Sequence, residues 1–159
     1  MDYSRHLLID AYNVIYKWPK LRRLLKQGSG PARDALASMV QILHDHEKIR
    51  VTLVFDGQGD EVQIERPGEL LTFSYLFSAK SLSADDVIEQ LVGRTEDPAT
   101  CLVVTGDLAE RHTVEALGAS ALSPDDLLAW IAVTEETLAT KIRLHRKSLD
   151  SVWKNRMEF

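Results

Sequence analysis

The chain has 159 residues, enough for one domain with a substantial core, and 45% of them are hydrophobic. The mean hydropathy is -0.16, and no apolar run approaches the about 18 residues that a membrane-spanning helix requires, so a soluble globular protein is expected. The net charge of -5 argues against binding nucleic acid through bulk electrostatics, and any polyanion would need a local basic surface.

The amino-terminal segment and the cysteine content indicate the compartment. The first ten residues enter an apolar stretch almost at once and have no signal-peptide layout. Cys101 is the single cysteine and begins an apolar run, so it is predicted to be a buried, inert thiol. These features favour the cytoplasm.

Apolar runs alternate with amphipathic segments along the whole chain. Strands are predicted over residues 6–11, 50–55, 71–77, 101–105 and 119–122, with a short Val-Gln-Ile element inside the polar stretch 58–68. Helical segments are predicted over residues 18–27, 31–46, 83–92, 107–117 and 124–147, with Gly118 as the cap that ends the fourth. This alternation predicts an α/β fold with a parallel sheet covered on both faces. No linker or repeat divides it, so residues 1–159 are expected to form one domain.

Acidic residues stand where apolar segments end or begin. Asp10, Asp56 and Asp107 each follow a strand-like run, and Asp85 and Asp86 open a helix. The carboxyl ends of parallel strands share one sheet edge, so these side chains are expected to gather there. Crowded carboxylates repel one another unless a cation lies among them, and oxygen ligands suit Mg²⁺ or Mn²⁺. The pattern suggests metal-assisted phosphoryl chemistry.

Each of these acids also has a structural interpretation. Ser83 and Asp86 have the spacing of a capping box, as do Asp107 and Glu110. Asp56 is followed by glycine and fits a turn. Capping alone does not require an aspartate at the ends of three strands, so both interpretations stay open.

Four further polar residues accompany the acids. Asn13, in the turn expected after the first strand, can hold a metal-bound water or a phosphate oxygen, or can cap the turn. Thr105 offers a hydroxyl near Asp107. Arg111 can contact a phosphate or face solvent. Glu89, which shares a helix face with the paired aspartates, can support them or can be a surface residue.

Basic residues cluster in two segments, 17–26 and 141–147. The first contributes Arg22, Arg23 and Lys26 as predicted phosphate-binding residues for a polyanion, because it follows directly on the Asp10–Asn13 turn. The second contains Lys141, Arg143 and Lys147. Both segments are amphipathic, so their charges can also simply face solvent. Tyr12, Tyr16 and Trp18 can stack on bases, although Trp18 also fits a place in the core.

Other α/β chemistries fit less well. Position 12 is Tyr, where a haloacid-dehalogenase-type phosphatase needs a second Asp. The GxxxxGK[ST], GxGxxG and GxSxG motifs are absent. One cysteine and five scattered histidines give little support for a zinc site.

The motifs LLIDAYNVI, VTLVFDG, SADDVIE and VVTGD, in this order, resemble those of the NYN domains in the PIN-like nuclease superfamily, and of the bacterial YacP-like subgroup in particular. The resemblance covers about residues 5–130. It implies a three-layer α/β/α sandwich with a mainly parallel central sheet and a metal-dependent ribonuclease activity. Two positions depart from the family pattern: Ala11 stands where glycine is common, and Gly106 stands where the subgroup often has serine.

Carried over by motif, the resemblance implies one catalytic and metal-binding centre. Its expected catalytic residues are Asp10, Asn13, Asp85, Asp86 and Asp107, and Thr105 joins them because its hydroxyl is expected near Asp107. The expected ligands of Mg²⁺ or Mn²⁺ are Asp10, Asp85, Asp86 and Asp107, with Asp56 farther out at the edge. Arg22, Arg23, Lys26 and Arg111 are the expected RNA-binding residues.

The sequence therefore predicts a Mg²⁺- or Mn²⁺-dependent endoribonuclease that hydrolyses RNA phosphodiester bonds. Its expected partner is single-stranded RNA, such as mRNA, tRNA or rRNA, with the ribosome as a further candidate and no membrane partner. The alternative is a non-catalytic RNA- or ribosome-binding adaptor that retains the fold. A DNA flap nuclease is less favoured, because it carries additional acids and a helical clamp.

Overall fold

A computed structural model describes residues 3–157. Six strands form one sheet: β1 (His6–Asp10), β2 (Arg50–Phe55), β3 (Gln63–Glu65), β4 (Phe73–Phe77), β5 (Cys101–Val104) and β6 (Ser120–Leu122). Six α-helices surround it: α1 (Ala11–Lys17), α2 (Pro19–Leu24), α3 (Ser29–His46), α4 (Ala84–Arg94), α5 (Leu108–Ala116) and α6 (Pro124–Met157). Short 3-10 turns cover Leu25–Gln27 and Pro98–Thr100.

The strand order is β3-β4-β2-β1-β5-β6. All neighbouring pairs are parallel except β3 and β4, which run antiparallel. The predicted α/β fold with a mainly parallel sheet is therefore confirmed. In this order β1 lies between β2 and β5. Asp10 ends β1, Asp56 follows β2, and Asp107 follows β5, so the three aspartates are carried by neighbouring strands.

Helices cover both faces of the sheet, because the central strands are apolar on both sides. Leu7 and Ile9 of β1 pack into a core with residues of α1, α3 and α6. Leu8, which points to the opposite face, packs with α4 and α5. Cys101 belongs to this second core and is buried, as predicted. The layers form the expected α/β/α sandwich.

Two helices differ from the sequence prediction. The turn expected around Asn13 is the helix α1, which begins immediately after Asp10. The last helix was expected to end near residue 147, but α6 continues to Met157. The sequence contains no glycine or proline after residue 124, so nothing stops the helix earlier.

Trp18 lies between α1 and α2, and its interpretation as a core residue is confirmed. It is 4% exposed, and its indole N–H donates to the carbonyl of Pro124. Gly118 ends α5 with φ of 105°, as expected of a helix cap. Within residues 3–157, no helix combines the length and apolar character that crossing a membrane requires.

Candidate active site

The carboxyl edge of the sheet positions the candidate site. Asp10 ends β1, Asp56 follows β2, and Asp107 follows β5 by three residues. Since β1 lies between β2 and β5, Asp10 is the central residue of the three. The amino ends of α1, α4 and α5 lie at the same edge, because each of these helices follows a strand and returns across the sheet.

Asp10 is a partly buried carboxyl group among other acids. Burial, together with the Asp56 and Asp85 carboxylates, raises its pKa to about 6, while hydrogen bonding to Glu110 and to the Asn13 backbone opposes the shift. The charged form of Asp10 is thus disfavoured in the protein alone. A cation at this position would relieve the repulsion.

Glu110, on the first turn of α5, is a second acid that burial affects in the same way as Asp10. The sequence suggested only a capping role for it. It is 2% exposed, and the Thr105 hydroxyl donates to its Oε2 at 2.7 Å. Burial raises the pKa of Glu110 to about 9, and the Asp10 charge contributes to this rise. Its other oxygen, Oε1, is buried without a hydrogen-bond partner among the described residues.

Protonation of Glu110 would remove the repulsion between its buried carboxylate and that of Asp10. A protonated Glu110 could donate a hydrogen bond to the Asp10 carboxylate, and one proton would then serve both groups. Thr105 lies behind this pair, since it is completely buried and also accepts a hydrogen bond from the Asp107 backbone N–H. Thr105 therefore positions Glu110 and the start of α5 together.

Asp56 and Asp85 approach Asp10 from the β2 side. The backbone N–H of Ala84 donates to Asp56 Oδ1 at 2.8 Å, which ties the end of β2 to the start of α4. The Ser83 hydroxyl donates to Asp85 Oδ1. Both carboxylates raise the pKa of Asp10. The expectation that Asp56 lies farther out than Asp85 stays a prediction.

Asp86 and Asp107 have the capping contacts that the sequence allowed. Asp86 completes a capping box with Ser83, and this hydrogen bonding lowers its pKa. Asp107 accepts hydrogen bonds from the backbone N–H groups of Ala109 and Glu110 at 2.8 and 3.3 Å. Each carboxylate has a second oxygen that takes no part in these hydrogen bonds, so capping and ligand binding are compatible.

Asn13 joins the two sides of the edge. The backbone N–H of Gly106 donates to its Oδ1 at 2.6 Å. A Cβ atom on Gly106 would lie 2.9 Å from this oxygen and 3.3 Å from Cε of Lys17. The glycine that departs from the family pattern therefore leaves room for both side chains.

Two cavities flank the acids. One, of about 550 Å³, opens on the β2 and β4 side and includes Asp56, Tyr12, Tyr16 and Arg33. The other, of about 290 Å³, opens on the β5 and β6 side and includes Lys17 and Arg111. The sequence singled out Arg111, whereas Lys17 was counted only as part of the basic segment 17–26. Lys17 lies four residues after Asn13 on the same face of α1.

The predicted RNA-binding side chains lie at different distances from the acids. Arg22, Arg23 and Lys26 are exposed, and the Arg22 guanidinium reaches the carbonyl oxygen of Tyr16 at 3.5 Å. The basic segment 141–147 is also exposed. It follows Thr134 on α6, and the Thr134 hydroxyl donates to Glu47 at 3.5 Å. Glu47 precedes β2 and therefore lies at the amino edge of the sheet. That segment therefore lies beyond the opposite edge of the sheet.

The donor atoms suit a hard divalent cation, because they are carboxylate and amide oxygens. Among the described residues, however, no three His, Cys, Asp or Glu side chains are grouped closely enough to hold a metal ion by themselves. Mg²⁺ commonly retains several waters and uses one or two carboxylates, so the chemistry of the donors fits such an ion and water would complete its coordination.

Comparison with known proteins identifies the family. The sequence profile of the YacP-like NYN domain matches residues 7–158, nearly the whole chain. The chain belongs to the YacP-like NYN domain family. This NYN domain is 28% identical over 138 residues to YacP of Bacillus subtilis (strain 168), a match that covers 86% of this chain and 81% of that protein.

Solved structures agree with this assignment. The crystal structure of Rae1 (YacP) from Bacillus subtilis is 28% identical, has a TM-score of 0.67, and covers 99% of this chain and 96% of its own. A point-substituted variant of the same protein has a TM-score of 0.72 at 27% identity, covering 92% and 85% of the two chains. Membership of the NYN family supports a nuclease or RNA-related role.

Proposed function

We propose that this NYN domain is a Mg²⁺- or Mn²⁺-dependent endoribonuclease that hydrolyses phosphodiester bonds of single-stranded RNA. The observation that carries the proposal is the crowding of Asp10, Glu110, Asp56 and Asp85 at one sheet edge, where burial and mutual repulsion raise the pKa of Asp10 and Glu110. Such a cluster is costly for a domain that only needs stability, and perturbed carboxyl groups mark functional sites.

The residues proposed to hold the ion are Asp10 and Asp85, with Asp56, Asp86 and Asp107 reaching it directly or through water. When bound, the ion would supply an activated water and neutralise charge on the phosphate. Glu110 keeps a proton near neutral pH and orients the Asp10 carboxylate by donating to it. Thr105 fixes Glu110, and Asn13 joins α1 to the start of α5 through Gly106.

The flanking cations are proposed to hold the RNA backbone on both sides of the acids. Lys17 and Arg111 line the cavity on the β5 side and can bind a phosphate there. Arg22, Arg23 and Lys26 extend the basic surface beside Tyr16. A strand that crosses the edge along the sheet would therefore have its scissile phosphate at Asp10.

The experiment that tests this proposal is cleavage of an end-labelled single-stranded RNA in Mg²⁺, Mn²⁺ and EDTA. Wild-type protein is expected to cleave with either ion and to be inactive in EDTA. The Asp10→Asn variant is expected to bind the RNA without cleaving it. Tight binding by wild-type protein with no cleavage under any ion would instead identify the adaptor.

A further inference from the structure

The cavity on the β2 and β4 side contains a cation and a set of aromatic rings that the proposed hydrolysis of the phosphodiester does not itself require. We infer that this cavity is a subsite for one nucleotide of single-stranded RNA, with Tyr16 stacking on the base and Arg33 binding a phosphate. This inference rests on the proposed nuclease function, because it places the nucleotide beside the scissile phosphate.

The aromatic rings are arranged in a continuous row. The rings of Tyr16 and Tyr12 have centroids 6.5 Å apart, Tyr12 contacts Phe55 at 5.2 Å, and Phe55 stacks on Phe77 at 5.2 Å. Tyr12 and Tyr16 are four residues apart on α1, which places both rings on one face. The buried end of this row belongs to the core, while Tyr16 at its outer end is 59% exposed.

The guanidinium group of Arg33 lies over the inner part of the row. Its Cζ atom is 5.2 Å from the centroid of Phe77 and 5.7 Å from that of Phe55. The guanidinium group makes no salt bridge among the described residues. The contact with the two rings thus holds the group in place while its N–H donors remain available, and a guanidinium group with free donors suits bidentate binding of a phosphate.

The rest of the cavity lining suits a base better than a second phosphate. Gln58 and Gln63 can donate and accept hydrogen bonds with base edges, and Glu61 can accept from an exocyclic amino group. Among the described residues that line the cavity, Arg33 is the single cation. The volume of about 550 Å³ falls within the about 300–1,000 Å³ typical of small-ligand sites.

The position of the cavity determines which part of the RNA would enter it. Asp56 belongs to the cavity wall and its carboxylate also acts on Asp10, so the cavity begins where the acidic cluster ends. A base paired within a duplex does not present its face to a protein ring, whereas an unpaired base does. The combination of an exposed ring and a cation in the same cavity therefore favours single-stranded RNA.

The test compares binding of a ten-nucleotide single-stranded RNA with that of an oligomer of the same length that carries abasic riboses. Dissociation constants are measured in Ca²⁺ and again in EDTA for wild type, Tyr16→Ser, Tyr16→Phe, Arg33→Gln and Arg33→Lys. Arg66→Gln serves as the charge-matched control, because Arg66 is exposed in the loop after β3, outside the cavity. Thermal melting verifies that each variant folds.

Tyr16→Ser is expected to weaken binding of the normal RNA about fivefold to 100-fold, the range of one stacked base, without affecting the abasic oligomer. Tyr16→Phe and Arg66→Gln should bind as wild type does. Arg33→Gln should weaken binding of both oligomers, and Arg33→Lys should recover only part of the loss. If Arg33→Gln does not fold, Arg33→Lys and the Tyr16 pair decide the question.

Equal affinity of wild type and Tyr16→Ser for the normal RNA, or an equal loss for both oligomers, would overturn the subsite. So would failure of the wild-type protein to bind RNA in either buffer. Cleavage in Mn²⁺ is measured separately. A nuclease whose rate and binding ignore Tyr16 and Arg33 would retain the proposed function and lose the subsite, whereas base-dependent binding without cleavage would do the reverse.

Discussion

The Thr105 hydroxyl donates a 2.7 Å hydrogen bond to Oε2 of Glu110 in the buried layer beside Asp10. This contact orients an acid that would otherwise be an unsupported buried charge. The same arrangement leaves Oε1 of Glu110 without a partner among the described residues. Glu110 and Asp10 therefore depend on a shared proton or on a bound cation, and this dependence can be measured.

The first prediction concerns the pH dependence of stability in EDTA. The folded-state pKa of Glu110 is raised to about 9 and that of Asp10 to about 6, so these two groups bind more protons in the folded protein than in the unfolded chain. Burial lowers the pKa of His6 to about 4, which acts in the opposite direction below about pH 6.5. The free energy of unfolding should accordingly decrease as pH rises from about 6.5 to about 9, where the Glu110 contribution dominates. Glu110→Gln should flatten this decrease, as measured by urea unfolding at several pH values.

The matched control is Glu115→Gln, because Glu115 is exposed on the same helix. It should leave the pH profile of the wild-type protein unchanged. If Glu110→Gln and wild type show parallel profiles between pH 6 and pH 9, Glu110 ionises normally and the shared-proton arrangement is wrong.

The second prediction concerns Asp10→Asn. Removing one of several crowded carboxylates should leave the fold intact and raise the melting temperature slightly in EDTA. Mn²⁺ should stabilise the wild-type protein by mass action and should stabilise the variant much less. Differential scanning calorimetry with and without Mn²⁺ measures both effects. Asp150→Asn, at an exposed position on α6, is the control. Equal Mn²⁺ stabilisation of wild type and Asp10→Asn would remove Asp10 from the metal site.

The third prediction compares the effects on stability of replacing Gly57, which follows β2, and Gly106, which precedes α5. A Cβ on Gly57 would lie 1.9 Å from the backbone oxygen of Ser78, so Gly57→Ala should lower the free energy of unfolding by about 2–4 kcal/mol. A Cβ on Gly106 would meet the end of the Asn13 side chain, which can move. Gly106→Ala should therefore lower stability by less than about 1 kcal/mol.

Gly106→Ala should nevertheless lose much of its RNA cleavage activity, because moving Asn13 breaks the link between α1 and the start of α5. Denaturant unfolding and RNA cleavage on the same preparations test this pair. A strongly destabilised Gly106→Ala protein, or one with full activity, would show that Asn13 is not held as described.

The fourth prediction concerns the salt dependence of RNA binding. Each phosphate contact contributes about 0.7 to the slope of log affinity against log salt for a single strand. Replacing Arg22, Arg23 and Lys26 together should therefore reduce the slope by about 2. The triple variant of Lys141, Arg143 and Lys147 is the matched control, since it removes the same charge beyond the opposite sheet edge. Equal slopes for the two triple variants would show that RNA follows another path.

The sequence predicted the sheet and its acidic edge because both depend on local patterns. Apolar runs that end in aspartate identify strand ends, and parallel strands bring those ends together. It did not identify α1, since Asp10 leads into a helix without an intervening polar break. Missing that helix concealed its two faces, Asn13 with Lys17 and Tyr12 with Tyr16, whose spacing carries information only on a helix.

Two other site features could not be read from the sequence for physical reasons. Glu110 has the spacing of a capping residue, and only the tertiary packing of α5 shows that its carboxyl group is buried against Thr105. In the sequence, Arg33 is indistinguishable from an ordinary charged residue of an amphipathic helix. Its contact with Phe77 and Phe55 depends on how α3 packs across β2 and β4, which no local pattern encodes.

The most direct test of the central claim is incubation of the wild-type domain with a circular single-stranded RNA in Mn²⁺. A circle has no ends, so only an endonuclease can open it. The account predicts that the circle is converted to a linear product of the same length, that EDTA prevents this conversion, and that Asp10→Asn does not perform it while Asp150→Asn does. An intact circle with the wild-type protein, or equal linearisation by Asp10→Asn, would contradict the account.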